Sequence, residues 1–229
     1  MTFSLVTTTV IFIKENDMVM EYEDLPAGEH EARLIYVAEL GKCINKWAEE
    51  GKDNIQNKMS LCFEVIGSSV KIDGVEKPRM LWCPEFNHFD HNLTEMGKET
   101  ERYKVFVPDA QKGMTADWKS VLGEPASIRV IKEPSKKDPS KIFDVIDSIT
   151  PIPAKYKDKV APAITTDFAM ATVEDVDSPA IKNLFGLTKW RHDNRLRDNT
   201  GNTKPIENNN KSKPQPVVEE EVFDDAVPF

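Results

Sequence analysis

At 229 residues, 39 % apolar and 30 % charged, the chain is sized for one domain with appendages or two small domains. Its formal net charge of −9 excludes a uniformly basic, non-specific nucleic-acid binder. The charge is uneven: residues 24–160 hold 21 basic against 23 acidic residues, and residues 161–229 hold 8 against 12. Cys43, Cys62 and Cys83, odd in number and widely spaced, exclude a disulfide framework and point to a reducing cytoplasm. No apolar run reaches the roughly 18–20 residues that span a bilayer.

Residues 1–23 form an N-terminal extension. Phe3–Ile13 is apolar and β-branched, with no basic residue before it and no small-residue cleavage site after it, so it reads poorly as a signal peptide. Two readings stay open: an extra edge strand, or a start at Met18 or Met20.

From Glu31 the sequence alternates. Ala32, Leu34, Tyr36, Ala38 and Leu40 fall on one face, with Ile35 and Val37 on the other, which predicts a strand. Leu25-Pro26-Ala27-Gly28 leads into it as a turn. The stretch around Trp47 is polar and loop-like. Lys58–Ile66 alternates again, with Met59, Leu61, Phe63 and Val65 on one side. Asp73-Gly74 between β-branched residues predicts a tight hairpin returning along 75–83. A short helix is expected over 92–102 and a strand over 103–107. A second helix is expected over 115–122, capped by Thr115 and stopped by Gly123, with Trp118 on its apolar stripe. Residues 125–132 and 141–150 are two more alternating strands, joined by a basic Pro/Ser loop.

A helix between the third and fourth of five strands is the order of the OB-fold, a small, partly open Greek-key barrel. The expected fold is therefore mainly β: an OB-fold-like five-stranded barrel over 24–153 with one or two short helices. Residues 154–192 read as a docked extension whose helix starts at Ser178-Pro179. Residues 193–218 hold too few aliphatic side chains to offset their ordering entropy and read as a disordered linker. Residues 219–229 form an acidic tip.

That tip ends Asp224-Asp225-Ala226-Val227-Pro228-Phe229. It resembles the tails of bacterial single-stranded DNA-binding proteins, which end in Asp residues, a small apolar pair and Pro-Phe. The resemblance is sharp over these six residues. It extends loosely to a layout of OB domain, tether and acidic tip, and not to the body sequence, which points to a divergent, phage-encoded relative. The resemblance implies single-stranded DNA (ssDNA) as partner, and recruitment of replication, recombination and repair enzymes by residues 224–229. A Phe229 ring and α-carboxylate fit one apolar pocket with a basic rim.

An ssDNA groove needs cations along the backbone and rings for the bases. The OB-like order puts candidates in the first loop (Lys42, Lys46, Trp47), on the second strand (Lys58), on the third (Arg79, Trp82) and around the last hairpin (Arg129, Lys132, Lys136, Lys137). Phe63 and Trp118 share faces with aliphatic residues and read as core.

Cys83, His88 and His91 are weak candidates for a zinc, at a spacing that matches no closed motif. With Asp90 they also admit a metallonuclease, for which no further carboxylate motif is apparent. No phosphate-binding loop or nucleophile elbow is present. The expectation is a protein without enzymatic activity or resident cofactor. A protein-binding adaptor barrel with a solubilising tail is the alternative.

Overall fold

The computed structural model describes residues 8–13, 18–23, 25–44, 55–135 and 138–196. The described chain is mainly β. Nine strands share one sheet: β1 (Thr8–Ile13), β2 (Met18–Glu23), β3 (Gly28–Ile44), β4 (Ile55–Ile72), β5 (Val75–Trp82), β6 (Phe86–Asn87), β7 (Pro125–Pro134), β8 (Ile142–Pro151) and β9 (Ala169–Ala171). The main path runs β1-β2-β4-β3-β7-β8, with β5 and β6 also on β4 and β9 on β3. All pairings are antiparallel except β3–β9. Among the described residues no ladder joins β5 to β8, so the sheet is not closed. β1 and β2 form a ribbon on β4, with β1 at the edge of the sheet.

The strands start and stop close to where alternation predicts, but β3 changes face. Leu34 pairs with Phe63 and Tyr36 with Cys62, leaving Ile35 as the extra residue of a bulge. A second bulge falls between Glu39 and Gly41. Alternation had put Tyr36, Ala38 and Leu40 on one face with Leu34. The first bulge breaks that phase: Leu34 and Val37 enter the main core, whereas Ile35 and Tyr36 pack with Cys62, Ala171 and Ala180.

The main core lies between the sheet and residues 86–122, from which Phe86, Leu93, Phe106 and Trp118 insert. Trp118 is fully buried, edge-on to Tyr103 at 5.1 Å and Phe106 at 6.5 Å. It and Phe63 are core, as read from the sequence. Two helix predictions shrink here. Only α1 (Lys98–Tyr103) forms from 92–102, and the segment 115–122 gives one 3-10 turn, Trp118–Val121. Asp117 caps that turn by accepting from Ser120 N, while Thr115 instead bridges to Asn92. In place of the strand expected over 103–107, Tyr103 ends α1 and turns follow over 104–106, where Tyr103, Val105 and Phe106 all bury their side chains rather than alternate.

The extension straps the outer face of β3. It holds α2 (Ala154–Lys157), β9, α3 (Pro179–Lys182) and α4 (Gly186–Asp193). Ser178 caps α3 by accepting from Ala180 N, with Pro179 in its first turn. The Arg33 guanidinium donates to the carbonyls of Gly123, Val160 and Ala161, each at 2.7 Å. Its cross-strand neighbour Glu64, 2 % exposed, accepts from Ile164 N at 2.6 Å and Thr165 N at 2.9 Å. The linker was expected from residue 193. Asp193 instead ends α4, and Leu196 N donates to the Lys42 carbonyl at 2.8 Å.

Candidate nucleic-acid interface and histidine–carboxylate cluster

Two groups of the predicted cations occupy different parts of the sheet. Lys42 and Lys58 stand at the end of the β3–β4 ladder next to the 45–54 connection, where Lys42 pairs with Asn57 and Gly41 with Lys58. Lys42 is exposed; Lys58 is half-buried and donates to Asn87 Oδ1 at 2.5 Å. Burial, then the nearby charge of Arg191, hold the Lys58 ammonium below its ordinary pKa. The charges of Arg191, Lys58 and Arg195 also reach the buried Cys43 thiol, whose pKa burial pushes up. Arg191 and Arg195, from α4 and its end, thus join the two lysines. Sequence reading missed both because they lie 133–153 residues further along the chain, in segments read as a docked extension and a linker. Gly41 makes the approach of Arg195 possible: its φ is +78°, and a Cβ there would sit 2.8 Å from Arg195 Cδ.

Arg129, Lys132 and Arg79 form the second group. Arg129 pairs with Glu29, thirteen residues before Lys42 on β3, a strand path of roughly 40 Å. Arg79 is not a groove cation. It is 1 % exposed and ion-paired with Asp144 across the gap from β5 to β8. Lys132 Nζ holds the other oxygen of Asp144 at 2.7 Å, and Arg129, more exposed, stands 3.9 Å from Asp147. A buried guanidinium is kept only where paired, so Asp144 draws Arg79 inward. Trp82 is not a free stacking face either. It is half-buried against Ala38, Leu40 and Leu184, and its indole donates to the Asn183 carbonyl at 3.0 Å. Lys46, Trp47, Lys136, Lys137 and the tip 224–229 lie outside the described residues, as does the linker from 197.

Cys83 is likewise corrected as a metal candidate. Its sulfur, 1 % exposed, accepts from Arg102 Nη1 at 2.9 Å and from Leu61 N at 3.3 Å. His88 and His91, by contrast, come together, with rings stacked at 5.0 Å and 18°. His91 Nδ1 lies 3.0 Å from Glu99 Oε1, and Nε2 lies 2.8 Å from Glu39 Oε1. These bonds to Glu39 and Glu99 push the His91 pKa up to about 9 against the opposing effect of burial. Burial, then the neighbouring His91, push His88 down. The Trp118 indole donates to Glu99 Oε1 at 3.0 Å. Asp90 and His91 carry φ of 49° and 60°, consecutive left-handed residues that turn this loop. Neither Glu39 nor Glu99 could be read as a partner from spacing, because β3 and α1 supply them from either side of the histidines.

A cavity of about 580 Å³ adjoins both features. Glu39, Lys42, Asn57, His88, Asp90 and Arg195 are among its lining residues.

Comparison with protein-family models, with curated proteins and with solved structures finds no match.

Proposed function

We propose that the chain is a sequence-independent ssDNA-binding protein, without enzymatic activity, that shields single strands and brings replication, recombination and repair enzymes to them through its acidic Pro-Phe tip. Its place is the cytoplasm, that of a bacterial host if the chain is phage-encoded. The connectivity carries this reading. β3 pairs with β4 and β7, β4 with β5, and β7 with β8. These are four of the five strand pairings of an OB barrel. In place of the fifth, Arg79 on β5 meets Asp144 on β8. α1 and the 3-10 turn fall between the third and fourth strands of that scheme. OB domains bind oligonucleotides on their second and third strands and on the loops after the first and fourth. Here those loops are 45–54, which holds Lys46 and Trp47, and 135–141, which holds Lys136 and Lys137. Lys42, Lys58 and Arg195 supply positive charge at the base of the first loop, while Arg191 beside them is ion-paired with Glu85 at 2.7 Å.

The test is a titration of labelled oligo-dT at two salt concentrations. Binding should weaken steeply with salt as phosphate contacts release counterions. Trp47→Ala should cost about 1–3 kcal/mol through lost stacking. The oligonucleotide should remain intact throughout. Wild-type affinity in a Lys46→Ala, Trp47→Ala double variant would overturn the assignment of the first loop. Cleavage of the strand would overturn the non-enzymatic reading.

A further inference from the structure

The cluster of His88, His91 and Glu99 presents one potential ligand atom from each residue, all within 4.8 Å of one another. Two of its polar atoms, His88 Nδ1 and Glu99 Oε2, are buried and have no hydrogen-bond partner among the described residues. Both residues are more than nine-tenths buried, at 6 % and 2 % exposure. Buried polar atoms are normally satisfied, and two orphans in one cluster of metal-ligating side chains share a single remedy.

We propose that His88 Nδ1, His91 Nδ1 and Glu99 Oε2 bind one divalent transition-metal ion of the zinc class. Two nitrogens and a carboxylate oxygen suit such an ion, whereas magnesium and calcium favour all-oxygen shells. At ligand distances near 2.0–2.2 Å the ligand atoms of a tetrahedral site stand about 3.4 Å apart. The three side chains, whose ligand atoms lie within 4.8 Å of one another, therefore draw together by rotamer adjustment as the ion binds. The ion takes the place of the proton shared by His91 Nδ1 and Glu99, and that proton leaves to solvent.

The outer shell is already built. Metal-bound histidines commonly give their other N–H to a carboxylate, which fixes tautomer and ring plane. His91 Nε2 has Glu39 at 2.8 Å for this role. The Trp118 indole anchors Glu99 Oε1 at 3.0 Å and leaves Oε2 to the ion. The cavity that His88, Asp90 and Glu39 line gives the entry path and room for a water as fourth ligand. Cys83, bonded elsewhere, takes no part.

The full-length protein, untagged and stripped with a chelator, is titrated with zinc alone, then with cobalt, under a competing chromophoric chelator. One equivalent should bind and raise the unfolding temperature, and the cobalt adduct should lack a thiolate charge-transfer band. His88→Ala should lower zinc affinity at least tenfold, and the unfolding temperature of the chelator-stripped variant, measured alongside, separates the lost ligand from the lost packing of the buried ring. Glu39→Gln should lower it about 10–100-fold through the outer shell, and Cys83→Ala should not change it. Absence of saturable binding, wild-type affinity in His88→Ala, or a cobalt thiolate band lost in Cys83→Ala would each overturn the site.

Discussion

Tyr36 is the residue at which β3 changes face, and its hydroxyl donates to Asp167 Oδ1 of the strap at 3.0 Å. Burial, then that bond to a carboxylate, push its pKa well above 10.0. Folding therefore favours the protonated phenol. This stabilisation is complete below pH 10 and is lost as the pH rises past it, where the unfolded chain ionises first. Alkaline unfolding followed by circular dichroism should show a fall in stability above pH 10 that is shallower in Tyr36→Phe. At neutral pH the variant should be weaker by about 0.5–1.5 kcal/mol for the lost bond. The three thiols give a second residue-scale expectation. Cys43, Cys62 and Cys83 are free and buried, and burial pushes Cys43 and Cys62 up in pKa. A thiol reagent at pH 8 should react with all three at the rate of unfolding, and much faster in denaturant. Side-chain type and spacing made Phe63 and Trp118 legible as core. They could not reveal that Arg79 is buried, since its ion-pair partner Asp144 lies 65 residues later.

At the scale of elements, alternation located the five principal strands and the Asp73-Gly74 hairpin, because period two and turn chemistry are local properties. The bulges of β3 were illegible. An extra residue leaves no mark on the pattern when both faces are apolar, and β3 is covered by the core on one side and the strap on the other. The strap hangs on the cross-strand pair Arg33 and Glu64. Arg33→Ala removes three charge-assisted bonds and should cost about 1.5–3 kcal/mol. It should also open new sites of limited proteolysis within residues 154–196. A chain ending at Leu196 keeps every contact described for the strap and should unfold at the wild-type temperature. Ending at His192 removes the bonds of Arg195 to the His192 and Val173 carbonyls and of Leu196 to Lys42, and should lower it.

For the molecule as a whole, the proposed roles of the sheet domain and the tip separate by deletion. On the proposed function, removing Phe229 should abolish capture of a DNA-processing enzyme and leave oligo-dT affinity unchanged, since its ring would serve the partner's pocket. Removing residues 219–229 takes away five acidic side chains. Oligo-dT affinity should then rise, most at low salt where screening is weakest. Equal enzyme capture by wild type and the Phe229 deletion would sink the recruitment role.

The parallel strand β9 aligns Ala169 with Tyr36, 133 residues upstream. During synthesis at about 5–20 residues per second, roughly 7–27 s pass between the appearance of the two. Through that interval the patch of Ile35, Tyr36 and Cys62 has no cover, while the ladders from β3 to β8 can already close. A nascent chain stalled just late enough to free residue 155 from the ribosome should thus present a folded sheet with one sticky face, bound by a holdase chaperone and by hydrophobic dye. A chain stalled late enough to free residue 196 should bind neither. The strap, last to arrive, sets how long the newborn protein is at risk of pairing with its neighbours on the polysome.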